Sequence, residues 1–190
     1  MLAVLKNILS QKNKLTKFLE ITDSKIPNDI RIILVSNEEI DYSEKLSKKN
    51  LGRFYKNSER KKYLRSRYAI KILNLKDINY LSISHTQETS AIVFSDQYKV
   101  GVDIENINRK LSPRLIRKIK KNNTNLALKP IILWTMMESS YKARNSNNEH
   151  FTDYKFTKKN NLFCREYLSK EIMTANIEVK NMSMSISFLK

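Results

Sequence analysis

The chain has 190 residues, of which 41% are hydrophobic and 29% are charged. This composition excludes an intrinsically disordered chain and predicts a globular protein with one sizeable core, or two small lobes that share a core. Lys and Arg together number 36 and Asp and Glu 19, so the formal net charge is +17. That balance indicates either an anionic partner or a Lys-rich composition without a specific partner, and charge alone does not separate the two.

The cysteine and histidine counts exclude several kinds of site. Cys164 is the only cysteine, so a disulfide within the chain and a cysteine-based zinc site are excluded, and we expect a small buried apolar residue there. His85 and His150 are too few for a His-rich metal site. Lysines interrupt the apolar amino-terminal stretch and no cleavage pattern follows, so we expect no signal peptide, no membrane span and a cytoplasmic protein.

The first half of the chain is predicted to contain helices and strands in alternation. Hydrophobic periodicity predicts an amphipathic helix over 2–20, a strand over 30–35, a short basic helix over 43–50 and a longer helix over 57–74. Three short strands with turn residues between them follow, and they indicate an antiparallel meander: 80–84, 91–94 and 98–104.

The second half repeats the order of helix and strands. Ser112 and Pro113 begin a basic helix over 112–121, and Pro130 begins another over 130–144. Strand-like segments follow at 150–156, 162–168, 172–180 and 182–188. We therefore predict an α+β fold of two similar lobes, 1–99 and 100–190, each a helix on a small antiparallel three-stranded sheet, with a site in the cleft between them.

Asp103 and Glu105 are the first candidate site residues. Residues two apart in a strand point to the same face, so both carboxylates project together while Ile104 points into the core. Like charges so close repel each other unless a cation neutralises them, and carboxylate oxygens suit Mg²⁺. The alternative is a pair of ordinary surface acids at an exposed strand end.

Trp134, Glu138 and Lys142 form the second candidate group. Their spacing of four residues places them on one face of the predicted helix 130–144. The alternative is a simple helical ion pair between Glu138 and Lys142, with Trp134 in the core.

Four segments in the same order resemble the signature of the 4'-phosphopantetheinyl transferase superfamily. They are Glu59-Arg60-Lys61-Lys62-Tyr63-Leu64-Arg65-Ser66-Arg67, Ser82-Ile83-Ser84-His85-Thr86, Val100-Gly101-Val102-Asp103-Ile104-Glu105 and Trp134-Thr135-x-x-Glu138-Ser139-x-x-Lys142-Ala143. They span about residues 45 to 145, and the two-lobed layout is that of the surfactin-synthetase-type branch, a single-chain pseudo-dimer and so a monomer.

The resemblance implies transfer of the phosphopantetheine group of coenzyme A to a serine of an acidic acyl- or peptidyl-carrier protein, with release of adenosine 3',5'-bisphosphate. It implies that Mg²⁺ is held by Asp103, Glu105 and Glu138. It implies coenzyme A contacts from Lys62, Ser84, His85, Thr86 and Lys142, and catalytic roles for Glu138 and Lys142. Arg67 is expected to be structural.

The chain also departs from the family pattern. Met137 stands where a Lys usually precedes the metal-binding Glu, and no Gly-Lys-Pro-like segment lies between 74 and 84. The segment between Glu105 and Trp134, which docks the carrier protein in the family, is short and basic here. Two alternatives stay open: a relative that binds coenzyme A without catalysis, and a basic nucleic-acid-binding protein.

Overall fold

A computed structural model describes residues 4–7, 16–37, 57–144, 154–167 and 169–190. Within these residues it contains three helices: α1 Asn57–Ile72, α2 Pro113–Lys121 and α3 Pro130–Arg144. It also contains ten strands: β1 Val4–Asn7, β2 Thr16–Thr22, β3 Arg31–Asn37, β4 Tyr80–His85, β5 Thr89–Ser95, β6 Lys99–Asn106, β7 Thr157–Lys159, β8 Leu162–Tyr167, β9 Lys170–Val179 and β10 Met182–Leu189.

The strands form two antiparallel sheets of five strands each. The first has the order β1-β2-β3-β5-β4, and the second has the order β6-β10-β9-β8-β7. The fold is therefore α+β with two antiparallel sheets, as predicted, but the predicted three-stranded sheets are wrong. Strands β1 and β2 extend the first sheet, and strands β7 and β8 extend the second.

A shared core joins the two sheets face to face. Ile32 and Val93 of the first sheet lie in one buried cluster with Val102, Ile104 and Ile186 of the second. Alternate residues of the first sheet point the other way and pack under α1, while α2 and α3 enclose a separate apolar cluster over the second sheet. The layers are therefore helix, sheet, sheet, helix.

The helices begin and end where local chemistry requires. Ser112 caps α2, since its Oγ accepts a hydrogen bond of 3.3 Å from the Leu115 amide, and Pro113 is the first helical residue. The helix predicted over 57–74 ends two residues early because Asn74 adopts a left-handed conformation, with φ of 52°. The prediction of α3 over 130–144 is confirmed.

The prediction of a helix over 2–20 is wrong. Val4–Asn7 and Thr16–Thr22 are strands β1 and β2, and β2 pairs with β3 so that Ile21 lies opposite Ile32. The apolar strand β3 would otherwise present an unpaired edge, and satisfying that edge overrides the helical spacing of the leucines. The basic helix predicted over 43–50 lies outside the described residues.

Two further strand predictions need correction. The described part of the segment predicted over 150–156 is not a strand; the strand begins at Thr157. The predicted meander is also incomplete, because β4 pairs with β5 but β6 pairs with β10 of the second sheet. β6 is apolar on its core face and packs closely on α3 with its other face, so it belongs with the sheet that α3 covers.

Candidate functional site

The two faces of β6 have different partners. Val100, Val102 and Ile104 point into the core shared by the sheets, whereas Gly101 lies against α3. A Cβ atom at Gly101 would lie 2.0 Å from the Ser139 carbonyl oxygen and 2.4 Å from the amide nitrogen of the residue that ends the same turn, Ala143. The helix backbone therefore rests directly on the strand, which brings the Asp103 face of β6 beside α3.

Helix α3 is buried on nearly all sides. Its apolar side packs in the cluster with α2, and its hydroxyl side packs on β10, where Thr135 Oγ1 lies 2.8 Å from Ser185 Oγ and Ser139 Oγ lies 2.8 Å from Ser187 Oγ. The partly exposed residues past its first turn are Trp134, Glu138, Tyr141 and Lys142. The predicted common face of Trp134, Glu138 and Lys142 is thus the face that solvent and ligands can reach.

Asp103 is the buried centre of the site. Its Oδ1 accepts hydrogen bonds from Lys142 Nζ at 2.9 Å and from Ser84 Oγ at 2.8 Å. Lys142 Nζ also donates to the Val102 carbonyl at 3.0 Å. The Asp103 side chain is almost fully buried, and its Oδ2 has no hydrogen-bond partner within the described part of the chain. Lys142 therefore contacts β6. The alternative interpretation, a simple helical ion pair with Glu138, did not include this contact.

The serines of β4 hold β6 in place from the other sheet. Ser82 Oγ accepts a hydrogen bond of 3.0 Å from the Val102 amide, and Ser84 Oγ accepts one of 3.3 Å from the Ile104 amide. These amides lie on the edge of β6 that faces away from β10, and the two hydroxyls satisfy them. The Ser-x-Ser segment thus joins the two sheets at the point where Asp103 lies.

Glu105 and Glu138 lie in the electric field of Asp103. Partial burial, with the negative charge of Asp103 adding to it, raises the pKa of both carboxyls. The positive charges of Lys142 and Arg109 oppose that rise at both residues, and Arg109 forms an ion pair with Glu105. Three carboxylates and two cations therefore share one small region.

His85 ends β4 beside this region. Its Nδ1 lies 2.8 Å from Ser90 Oγ, the residue opposite it on β5. Burial lowers the pKa of His85 to about 4, and the positive charges of Arg65, Lys142 and Lys62 add to that effect. His85 is therefore neutral at physiological pH, and the charges of three cations act on it.

The other residues predicted to contact coenzyme A lie around the turn that follows His85. Thr86 Oγ1 accepts hydrogen bonds from the amides of Thr89 and Glu88, at 3.0 and 3.3 Å, so it shapes the turn. Lys62 is partly buried on α1, and its charge acts on His85. The structure brings Ser84, His85 and Lys142 to one region, and the charge of Lys62 acts on the same histidine.

Arg65 is the residue of α1 that the sequence did not single out. It is completely buried, and its Nη2 donates hydrogen bonds of 3.3 Å to the carbonyls of Thr86 and Gln87. Arg67, expected to be structural, is instead exposed, with its guanidinium 5.1 Å from the centre of the Tyr63 ring. A helical projection of α1 alone does not tell which arginine faces the sheet, because both flank the apolar face.

The carboxylates suit Mg²⁺ by chemistry and burial. Within the residues that the structure describes, no group of three or more His, Cys, Asp or Glu side chains is placed to hold a metal ion by itself. Mg²⁺ commonly takes one or two carboxylates and completes its shell with waters and substrate phosphates. The buried Asp103 Oδ2, with its unused lone pairs, is the oxygen that such an ion would take first.

No protein-family model matches this chain, and no curated protein matches it significantly. Among the described helices, none is long and apolar enough to cross a membrane. The residues of the site therefore carry the case for function.

Proposed function

We propose that the protein transfers the 4'-phosphopantetheine group of coenzyme A to a serine of an acyl- or peptidyl-carrier protein, and that its two lobes form a pseudo-dimer. The observation that carries the proposal is Asp103, a buried carboxylate held by Lys142 and Ser84 with one oxygen left for a ligand. It lies where β6, α3 and the end of β4 meet, and those elements contain three of the four segments on which the family resemblance rests.

We assign the metal ion to the carboxylates of the site and the phosphate oxygens to its basic side chains. Asp103, Glu105 and Glu138 would hold Mg²⁺, which neutralises the diphosphate when bound. Lys142 offers a point charge to a diphosphate oxygen, and Lys62 and His85 stand on the side where further phosphate would lie. In the transfer, the serine Oγ forms a bond to the pantetheine-bearing phosphorus, and the bond from that phosphorus to the bridging oxygen of adenosine bisphosphate breaks.

The serine proton needs an acceptor near the attacking oxygen. Glu138 is the carboxylate on the partly exposed face of α3, and because a carboxylate that binds a metal ion is a weak base, a water molecule between it and the serine would help the transfer. We propose that Glu138 accepts the proton directly or through a water molecule.

The basic segment after β6 supports the choice of an acidic protein partner. Seven basic side chains of this segment are exposed: Arg109, Lys110, Arg114, Arg117, Lys118, Lys120 and Lys121. Such a surface attracts an acidic partner from solution and favours fast association. The same surface would attract nucleic acid, but acids at the centre of a nucleic-acid groove are repulsive.

Mass spectrometry tests the proposal directly. Apo carrier proteins incubated with this protein, coenzyme A and Mg²⁺ should gain the mass of one phosphopantetheine. Asp103→Asn should slow the reaction about a hundredfold or more, because it removes a buried charge at the reacting diphosphate. Asp77→Asn, which makes the same change at an exposed position, should leave the rate unchanged.

Each alternative has its own outcome. Coenzyme A binding that depends on Asp103, with no carrier modified across a broad panel, would indicate a binding protein without catalysis. Strong, salt-dependent retention on immobilised DNA with no coenzyme A binding would indicate the nucleic-acid alternative and would reject the proposal.

A further inference from the structure

The charges at the Asp103 site nearly balance without any metal ion. Three carboxylates, on Asp103, Glu105 and Glu138, face two cations, on Lys142 and Arg109. A divalent cation that enters this group makes it net positive, which favours the departure of one of the two side-chain cations.

The two cations are held very differently. Lys142 Nζ donates to both the Val102 carbonyl and Asp103 Oδ1, and it is anchored on a buried helix. Arg109 extends from a surface turn, and 47% of its side chain is exposed, against 30% for Lys142. Release of Arg109 into water therefore costs less than release of Lys142.

The turn after β6 places Arg109 on Glu105. The Arg109 amide donates to the Asn106 carbonyl at 2.9 Å, and the Asn108 amide donates to Asn106 Oδ1 at 2.9 Å. The chain thus folds back, so that the guanidinium contacts Glu105 Oε1 and its charge also acts on Glu138. The contact needs no change in the strand, and it can open by rotation of the Arg109 side chain alone.

We propose that Arg109 is the counter-ion that a divalent cation displaces at Glu105, and that it thereby sets the affinity of the site for that cation. The inference rests on the metal site of the proposed function. It adds a role at the metal site for a residue that the family resemblance places only in the carrier-docking segment. Arg109 occupies one carboxylate when no metal is bound, and it lowers the metal affinity by competing for that carboxylate.

Manganese binding provides the test, since Mn²⁺ prefers the same oxygen ligands as Mg²⁺ and its free ion is counted by electron paramagnetic resonance. Arg109→Gln should bind Mn²⁺ about two- to fivefold more tightly than the unchanged protein, the range that a partly exposed ion pair supports. Lys110→Gln removes the same charge one residue away on an exposed side chain and should leave the affinity unchanged. Arg109→Lys should lie between the two.

The outcomes separate this inference from the proposed function. Equal or weaker Mn²⁺ binding by Arg109→Gln overturns the role of Arg109, even if carrier protein is modified. An equal gain in Lys110→Gln overturns it too, since general surface charge would then be the cause. Tighter binding in Arg109→Gln alone supports the role, and it does so even if no carrier accepts phosphopantetheine. Absence of Mn²⁺ binding by the unchanged protein and by every variant rejects both.

Discussion

Burial, together with neighbouring positive charges, keeps His85 neutral. It is partly buried and paired with Ser90, and the charges of Arg65, Lys142 and Lys62 act on it. A protonated imidazole would add a fourth positive charge to this group, so the folded state resists protonation. A bound phosphate would oppose the effect of these cations on the pKa of His85, because it would neutralise their charge.

The low pKa of His85 predicts a loss of stability in acid. In the unfolded chain the imidazole takes up a proton near pH 6.5, but in the folded protein it does so only near pH 4. The unfolded state therefore binds more protons between these values, and the free energy of unfolding should fall as the pH is lowered through this window. Urea unfolding at a series of pH values measures the fall.

His85→Gln is the variant that isolates this effect. It should flatten the pH dependence between pH 6.5 and pH 4 relative to the unchanged protein. Glu105 and Glu138 titrate in both proteins, so their contributions cancel in the comparison. An identical slope in His85→Gln and in the unchanged protein would contradict the prediction.

The packing of Met137 explains why this position departs from the Lys of the family pattern. Its side chain is completely buried in the cluster that α2 and α3 enclose. A Lys at this position would bury an ammonium group among apolar side chains, which is costly. A Lys at position 137 could therefore bring its positive charge to the site only if α3 moved.

At the scale of secondary-structure elements, the close contact between β6 and α3 positions the site. Gly101 allows the helix backbone to lie on the strand, and the hydroxyls of β10 satisfy the polar side of the helix. The Asp103–Lys142 contact joins β6 and α3 too, and Lys142 lies three residues after Ser139, which hydrogen-bonds to β10. A small shift of α3 would therefore separate Lys142 and Glu138 from Asp103.

Gly101→Ala tests this contact. The new Cβ would meet two backbone atoms of α3, at 2.0 and 2.4 Å, and backbone cannot rotate away as a side chain can. We expect a loss of about 3 kcal/mol in the free energy of unfolding and weaker Mn²⁺ binding by the protein that remains folded. Urea unfolding and electron paramagnetic resonance measure the two effects.

Ile104→Val is the matched control for Gly101→Ala. It removes one methyl group from the opposite face of β6, where Ile104 is fully buried in the shared core. It should cost about 1 kcal/mol of stability and leave Mn²⁺ affinity unchanged. Equal Mn²⁺ affinity in both variants would show that the site does not depend on the close approach of α3.

At the scale of the whole molecule, the core shared by the two sheets makes them one unit. Ile32 and Val93 from the first sheet pack with Ile104 and Ile186 from the second, and Ser82 and Ser84 bond across the sheet edges. Neither sheet can separate without exposing this core to water. The two sheets should therefore unfold together in a single transition.

The single tryptophan, Trp134 on α3, reports that transition from one side of the molecule. Ile32→Ala lies in the first sheet, and it should lower the free energy of unfolding read from Trp134 fluorescence by about 2–5 kcal/mol. Far-ultraviolet circular dichroism should give the same midpoint. Leu81→Ala, at an exposed position of the same sheet, should change stability by less than about 0.5 kcal/mol.

A fluorescence midpoint that stays unchanged in Ile32→Ala would contradict this prediction. It would mean that the second sheet unfolds independently of the first, and that the cluster joining Ile32 to Ile104 contributes little.

The sequence by itself predicted the elements whose patterns are local. Helices α2 and α3 begin with a capping serine or a proline, strands β4, β5 and β9 contain residues that favour extended structure, and β10 alternates with a period of two. It also predicted that Asp103 shares a strand face with Glu105, and that Glu138 shares a helix face with Lys142. Each of these relations depends only on the period of one element.

Only the tertiary structure decided how those elements meet. Strands β1 and β2 lie in the segment predicted as a helix over 2–20, because β2 pairs with the edge of β3. Strand β6, predicted to belong to the meander, pairs with β10 instead. The serine face of β10 looks like a solvent face in the sequence, yet Ser183, Ser185 and Ser187 are fully buried under α3.

The same limit applies to the site. No sequence period reveals that Lys142 lies on Asp103, that Arg65 rather than Arg67 is buried behind the turn after His85, or that Arg109 folds back on Glu105. These contacts join residues from separate elements, and their partners are chosen by the packing of two sheets and a helix. The sequence thus determined which groups face the same way along one element, and the packing between elements decided which charges share a site.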